Sequence, residues 1–467
     1  MSVFNKIRNS TPVANTTNNA GWPAIKQSAK LEAISLVLTS FVKDKFYSKA
    51  GDDLTRLKAL TEQVDAVFLA KLAIFARKEF GMRSITHALA WYLAPKISGN
   101  DWGKRFYEKI VHRVDDMMEI LSVVKASSQK CVPNAMRKGF KKAFDKFDAY
   151  QLAKYRAENK SIKLVDLVNL IHPRHNKALQ SLIEWTLKNE KTWEAQLSAT
   201  GGSKEAKEEA WATQVLNNQM GYLAIIRNIR NIEQNLPKTG SDEVINSLRN
   251  QITDKDKITK SLVLPFQIQQ AYEIATNRFI KDALSIAMEL SLANVPVFPW
   301  KTAIFLDQSG SMWGQPIRIG SLFAAVLAKS NNAVVINFGS NAQKYTYNPR
   351  SLLADVQSSL NNAHLGGTNF DAPFAALDEA VDRIIILSDM QAWEGRNLPT
   401  SAFRQYKTRT GVNPFIYSFD LNGSGTMQFP EEKVFALAGF HGDILEIMGV
   451  LEQDKNALIN KIESITL

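Results

Sequence analysis

The spacing of apolar positions divides this chain in two. From Ile25 to about Asn294 the apolar residues recur with helical periodicity. Leu31, Ile34, Leu38 and Val42 fall on one face of a predicted helix over 30–46, and the same amphipathic pattern returns over 64–80, 86–93 and 113–125. Short polar breaks separate these stretches, most clearly Gly51-Asp52-Asp53, Ser98-Gly99-Asn100, Gly201-Gly202-Ser203 and Thr239-Gly240-Ser241. No strand signal interrupts residues 25–294, a run too long for a single bundle, which predicts an α-solenoid of antiparallel helices. Residues before this run, rich in Asn, Thr and Ser up to Pro23, read as an N-terminal arm.

The pattern changes at Asn294-Val295-Pro296-Val297-Phe298-Pro299, where two prolines stop the last helix. Beyond it, apolar runs predict strands over 302–306, 333–338, 383–387 and 414–419, with helices over 317–329 and 372–381 between them. That alternation predicts an α/β, doubly wound domain with a largely parallel sheet. The expected organisation is an arm over 1–24, a helical region over 25–295 and an α/β domain over 296–467.

Charge sharpens the division. The net charge of +11 is the sum of +14 before Pro296 and −3 from Pro296 onward. A basic domain beside a slightly acidic one implies a polyanionic partner for the first, with nucleic acid leading and a surface that serves only solubility as the alternative. The single cysteine, Cys131, excludes a disulfide framework and a Cys-rich zinc site. With no apolar leader at the start and no apolar run long enough to span a bilayer, the expected setting is soluble, intracellular and cytoplasmic, without membrane attachment.

Candidate chemistry concentrates where predicted strands hand over to loops, the edge at which open α/β sheets bind ligands. Asp307-Gln308-Ser309-Gly310-Ser311 follows the first strand, Gly366-Gly367-Thr368-Asn369 lies on a loop, and Ser388-Asp389 ends the run from Arg383. Two carboxylates and three hydroxyls form an all-oxygen set that suits Mg²⁺, a hard cation that keeps several of its waters. The set Asp307, Ser309, Ser311, Thr368 and Asp389 resembles the complete metal-ion-dependent adhesion site of von Willebrand factor A-type domains. That resemblance implies a divalent cation, Mg²⁺, with an open position for an acidic group on a protein partner; the alternative is an ion that only stiffens the loops. No Gly-x-Ser-x-Gly elbow surrounds the serines, which argues against a hydrolase, and no second carboxylate cluster offers a two-metal nuclease site.

Several helical segments carry a second resemblance. Pro133-Asn134-Ala135-Met136-Arg137-Lys138, Gln151 to Arg156, Lys163 to Leu167, His172-Pro173, Trp193-Glu194, the stretch from Gly221 to Ile232, Leu264-Pro265-Phe266 and Phe435 to Phe440 are similar to the TROVE module. The chain thereby resembles the Ro ribonucleoprotein family. The resemblance implies a multidomain fold, an all-α ring of HEAT-like repeats closed by the A-type domain and existing as a monomer. It implies small structured Y-type RNA on the outer surface, single-stranded 3′ ends of misfolded non-coding RNA in a central hole, and a role in RNA quality control beside a 3′ exonuclease tethered through RNA. Such proteins are not enzymes. The competing reading is a metal-dependent protein adaptor with no RNA ligand.

Nine basic residues between Arg137 and Lys163, including Lys138, Lys142, Lys154 and Arg156, supply cations for phosphates. Phe140, Phe144 and Phe147 repeat at helical spacing and read as core, whereas Tyr155, between two cations, reads either as a stacking platform or as a packing residue. Lys154 and His172 match family positions for RNA contact; the loop between them is about one residue longer than in the family, and a further basic position falls to Arg156 or Lys160. His172 has a second reading as a residue preceding a helix start at Pro173, and a zinc site with His175 lacks further ligands. Arg227 and Arg230, three apart, share a helix face that the resemblance places at the hole, with structural ion pairing as the alternative.

Overall fold

Helices whose apolar residues recur three and four apart must lay one face on a neighbour, and the described chain does so throughout its first half. The computed structural model describes residues 16–17, 23–24, 28–39, 50–126, 131–155, 162–184, 186, 197, 203–237, 239–390, 399–421, 434–438, 445, 448–449, 452 and 457–467. They form two compact units, one of residues 27–192 with 438–467, the other of 193–437 with 1–26. No described helix is long and apolar enough to cross a membrane.

In the first unit the helices are Ala29–Thr39, Ala50–Gln63, Ala66–Glu79, Ser84–Tyr92, Ala94–Ile97, Gly103–Ile110, Val114–Ala126, Asn134–Ala143, Ala149–Lys154, Leu164–Ile171 and Lys177–Ile183. The expected break at 51–53 is instead the first turn of a helix. The helix expected over 30–46 is described to Thr39; Val42 lies outside the described residues. Helices Gly103–Ile110 and Asn134–Ala143 approach so closely that a Cβ on Gly139 would stand 2.5 Å from Tyr107 Cβ and 2.6 Å from the Lys104 carbonyl. Glycine is required there. Phe140, Phe144 and Phe147 are buried at 0%, 4% and 8% exposure, as their spacing suggests. Phe147 reaches the core from an extended residue after a 3₁₀ turn, so the three do not share one α-helix.

A buried ionic cluster joins three of these helices. Asp116 is fully buried and accepts from Arg77 Nη2 at 2.9 Å, His87 Nε2 at 3.1 Å and the backbone N–H groups of His112 and Arg113 at 3.0 and 2.9 Å. Burial alone would raise this carboxyl; the His87 and Arg77 contacts outweigh it and hold the group well below the carboxylate range. His87 is pushed below its ordinary value by burial. The far end of the chain packs here too: Arg105 Nε donates to the Leu467 carbonyl at 2.9 Å, Lys109 Nζ to that of Thr466 at 2.7 Å, and Lys30 pairs with Glu463 at 2.9 Å.

The second unit contains helices Lys204–Leu216, Tyr222–Gln234, Ser241–Ile252, Lys255–Ser261, Pro265–Ile274 and Arg278–Leu290 together with a sheet. Two short strands, β1 (Thr16–Thr17) and β2 (Pro23–Ala24), pair antiparallel within the segment expected as an arm. The main strands are β3 (Thr302–Asp307), β4 (Val334–Phe338), β5 (Ala342–Tyr345), β6 (Arg383–Ser388), β7 (Phe415–Asp420) and β8 (Val434–Ala438), in the order β5-β4-β3-β6-β7-β8. β3 runs parallel to β4 and β6, and β6 parallel to β7; β5 is an antiparallel edge. β3 and β6 are buried along their whole length, as central parallel strands are.

β5 was not expected, because Ala-Gln-Lys-Tyr carries no apolar run and sits half-exposed at the edge. Helices Leu353–Leu360 and Pro399–Thr410 and strand β8 were likewise absent from the sequence reading. The helix expected over 372–381 ends at Ala376, and Leu377 and Val381 reach the core beside Phe374 from non-helical chain. Packing continues across the proline break: Phe266 and Phe323 rings lie 5.9 Å apart, and Glu289 pairs with Lys329 at 3.0 Å.

Asp116→Ala is expected to lower the stability of the first unit by about 3–5 kcal/mol, since Arg77 is left as an unpaired buried cation, whereas Lys30→Ala, an exposed pair, costs less than about 1 kcal/mol. Urea titrations compare the two. Acid acts in the same direction. His87 and Asp116 both have folded values below their unfolded ones, so the stability each contributes is complete above about pH 6.5 and 3.8 respectively and declines as pH falls below them. The unfolding midpoint therefore drops between pH 7 and 5, and His87→Gln flattens that limb.

Candidate metal centre and nucleic-acid interface

The ends of β3 and β6, adjacent and parallel, bring Asp307 and Ser388 side by side. Asp307 is fully buried; its Oδ1 accepts from the Ser309 N–H at 2.8 Å and its Oδ2 from the Ser388 hydroxyl at 2.6 Å. Ser309 and Ser311 place their hydroxyl oxygens 3.2 Å apart. The Gly310 N–H donates to the Gly366 carbonyl at 2.8 Å, tying the first loop to the one that carries Thr368. Gly366 has φ +81°, a left-handed conformation that suits glycine. Behind it, a Cβ on Gly339 would stand 2.4 Å from the Leu365 carbonyl oxygen. Gln308 completes the scaffold: its N–H donates to Phe338, its carbonyl accepts from Leu365 and its amide donates to Leu360.

Two observations show what this arrangement lacks. Thr368 is fully buried, and its hydroxyl oxygen has no hydrogen-bond partner. Burial, with the nearby Asp389 carboxylate adding to it, pushes the Asp307 carboxyl up to about 7 against the bonds from Ser309 and Ser388. Asp389 is buried as well, at 2% exposure. A divalent cation fits these residues, because it supplies the charge that two buried carboxylates need and a partner for an orphan hydroxyl. Asp307, Ser309, Thr368 and Asp389 are buried and Ser311 is exposed. Among the described residues no group of three His, Cys, Asp or Glu side chains converges. Ser388 is the residue that motif reading passed over; its position one before Asp389 was the available signal, but its bond to Asp307 is a tertiary fact.

The basic candidates fall into two groups. Lys138, Lys142, Lys154 and His172 belong to the unit of residues 27–192, Arg227 and Arg230 to the other. Lys138, Lys141 and Lys154 are exposed, with no ion pair to a described residue. Lys142 pairs with Asp145 at 3.0 Å, Arg137 donates to the Leu170 carbonyl at 3.0 Å, and Lys146 donates to the Glu108 and Val111 carbonyls, so these three are engaged in the fold. Arg156 and Lys160 lie outside the described residues. Tyr155 is half-buried with the Arg113 guanidinium 4.8 Å over its ring, which favours the packing reading over an open stacking platform.

His172 does not precede a helix start. It ends helix Leu164–Ile171 in the left-handed region, φ 49°, with its N–H on the Val168 carbonyl at 2.9 Å. Its side chain is exposed; that of His175 faces Gln180 Oε1 at 2.8 Å. Helix Tyr222–Gln234 buries Tyr222, Ile225, Ile226, Ile229 and Ile232 and leaves Arg227 and Arg230 exposed, neither paired with a described carboxylate.

Comparison with known proteins identifies the domains in which these residues lie. Residues 42–186 and 185–288 match the TROVE domain, and residues 306–450 match the Ro60 vWA domain. The chain belongs to the Ro ribonucleoprotein family. This Ro-family protein is 27% identical over 148 residues to the RNA-binding protein RO60 of Deinococcus radiodurans, 29% of this chain and 28% of that protein. It is 26% identical over 196 residues to telomerase protein component 1 of Mus musculus, 38% of this chain and 7% of that protein. The matched stretches thus span about a quarter or less of those relatives' own lengths. The crystal structure of the Deinococcus radiodurans RO (RSR) protein superposes with a TM-score of 0.66 at 15% identity, covering 90% of this chain and all of that one. The shared fold is a helical region followed by a mixed α/β vWA domain.

In metal-free buffer, Thr368→Val is expected to hold or raise stability, by up to about 1–3 kcal/mol, since it removes a buried unpaired hydroxyl. Ser388→Ala is expected to lower it, because Asp307 loses a donor. Calorimetry with chelator present compares the two.

Proposed function

We propose that this protein binds structured non-coding RNA of the Y type through exposed cations of the helical unit, Lys138 and Lys154 with His172, and single-stranded ends of misfolded RNA through Arg227 and Arg230. It does so in cytoplasmic RNA quality control, as a binder rather than a catalyst, and beside a nuclease that shares the RNA. The observation that carries this reading is the pair Arg227 and Arg230, exposed on one helix face with no described carboxylate to neutralise them. Cations left unpaired while buried ones such as Arg77 are fully matched are what a phosphate backbone requires. The net charge of +14 before Pro296 supports the same reading.

The oxygen cage takes Mg²⁺ through Asp307, Ser309, Ser311, Thr368 and Asp389. When bound, the ion offers a Lewis-acidic position to an acidic group on a protein partner. The orphan Thr368 hydroxyl supports this second role, which adds a protein adaptor surface to an RNA binder.

Charge reversal at Lys138 and Lys154 is expected to weaken duplex-containing RNA about tenfold and to reduce the salt slope by about 2, with little effect on a single-stranded tail; reversal at Arg227 and Arg230 shows the opposite preference. Filter binding against each RNA at several salt concentrations reads both, and equal losses on the two ligands would remove the assignment. For the metal, burial pushes the Asp307 carboxyl up to about 7 in the folded protein, against an ordinary 3.8. Metal-free stability therefore falls as pH rises through that window, and Mg²⁺, which competes with the proton, stabilises more at pH 8 than at pH 5.5. Thermal shifts with Mg²⁺ and with chelator test this, and Asp307→Asn should lose the difference.

A further inference from the structure

Helix Ala457–Glu463 and the residues that follow it are met by cations from three helices of the first unit. Lys30, on Ala29–Thr39, pairs with the Glu463 carboxylate at 2.9 Å. Lys71, on Ala66–Glu79, donates to the Glu463 carbonyl. Arg105 Nε and Lys109 Nζ, on Gly103–Ile110, donate to the carbonyls of Leu467 and Thr466 at 2.9 and 2.7 Å. Two described carboxylates pair with these four cations, Glu463 with Lys30 and Asp101 with Arg105 at 3.8 Å. Among the described residues, Lys71 and Lys109 meet neutral carbonyl oxygens only.

Residues 457–467 contain one lysine and one glutamate, so the segment brings no net charge to the patch. It covers the cations without neutralising them. What anchors it is apolar: Ile462 is fully buried and Leu467 is 9% exposed, and Lys461 Nζ stands 5.5 Å over the Phe75 ring. The bonds from Lys30, Lys71 and Lys109 lie at the exposed surface, where such contacts contribute little and weaken with salt. The patch also belongs to the helix pair that carries part of the proposed RNA face. Gly103–Ile110 is the helix met by Gly139 of Asn134–Ala143, next to Lys138.

We propose that residues 457–467 compete with RNA for Lys30, Lys71, Arg105 and Lys109. The segment is a removable cover, and when it leaves, the four cations take phosphates of an RNA backbone without base preference. This rests on the RNA reading above and adds a second, masked contact surface to it. A phosphate oxygen carries formal charge where a peptide carbonyl carries a partial one, and each phosphate neutralised releases a counterion. RNA therefore has the advantage over the segment at low salt and loses it as salt rises.

The test compares binding of single-stranded poly-uridine RNA by the full chain and by a chain ending at residue 456, at several salt concentrations. The two proteins carry the same net charge, so a gain in the shorter one reads uncovered cations and not added ones. The shorter chain is expected to bind about tenfold more tightly near about 0.1 M salt, with a salt slope steeper by about 3, from four phosphates at roughly 0.7 each. A synthetic peptide of residues 457–467 added in trans should reverse the gain. Lys71→Gln with Lys109→Gln should remove about half of the gain in the shorter chain and change the full chain by less than about twofold. A thermal melt records whether the shorter chain is folded, and hydrogen exchange on the full chain gives a readout that does not depend on it. The Ser464 N–H bonds the Asn460 carbonyl at 2.9 Å and the Ile465 N–H that of Ile462 at 3.1 Å; saturating RNA should speed exchange of both about tenfold. Equal affinity and slope for two folded chains, or unchanged protection of these amides in the RNA complex, overturns the inference and leaves the RNA reading intact. No RNA binding by either chain at low salt overturns that reading as well.

Discussion

A carboxylate removed from water must meet positive charge or keep its proton, and this chain buries two carboxylates under opposite terms. Asp116 is surrounded by Arg77, Arg83, His87 and two backbone N–H groups, and its acidity is strengthened accordingly. Asp307 has two hydrogen-bond donors, a carboxylate neighbour in Asp389 and no cationic side chain bonded to it, and its carboxyl rises to about 7. The first arrangement is complete within the chain and acts as a joint. The second gathers buried carboxylates and hydroxyls, a donor chemistry that suits a hard divalent cation.

The joint organises the helical unit because its partners come from separate helices. Arg77 lies on Ala66–Glu79, His87 on Ser84–Tyr92 and Asp116 in the first turn of Val114–Ala126, so three apolar interfaces share one polar centre. Such a cluster contributes through geometry more than through net energy, since the desolvation of its members offsets much of their attraction. On the short helices that follow, Lys138 and Lys154 are exposed with no ion pair to a described residue, while Arg137, Lys142 and Lys146 are engaged by carbonyls and by Asp145.

The same economy of charge distinguishes surfaces in the second unit. Arg318 pairs with Glu273 at 3.2 Å and Lys329 with Glu289 at 3.0 Å where helices meet the α/β layers, yet Arg227 and Arg230 meet no described carboxylate. Matched cations at internal contacts and exposed ones with no described partner are the contrast on which the proposed RNA face rests.

Much of this was legible in residue order alone. Periodicity located the helical region, the buried parallel strands β3, β4, β6 and β7, and the phenylalanines of 140–147 as core, because burial on one face or on both writes itself directly into spacing. That the loops carrying Asp307, Ser309, Ser311, Thr368 and Asp389 lie at one edge of the sheet was legible because loops at a sheet's carboxyl edge converge by topology. The edge strand Ala342–Tyr345 was not, since its pairing rests on backbone groups that any side chain can supply. Nor was the fate of each basic residue: Arg137 and Lys138 are neighbours in sequence, and only the Leu170 carbonyl, 33 positions on, separates the engaged cation from the one with no ion pair to a described residue. The Ser388 bond to Asp307 and the packing of Leu467 and Glu463 on N-terminal helices join residues 81 to 433 positions apart. Local pattern determines which elements form; which charges remain available is decided only when distant segments meet, because electrostatic partnership depends on distance in space and not along the chain.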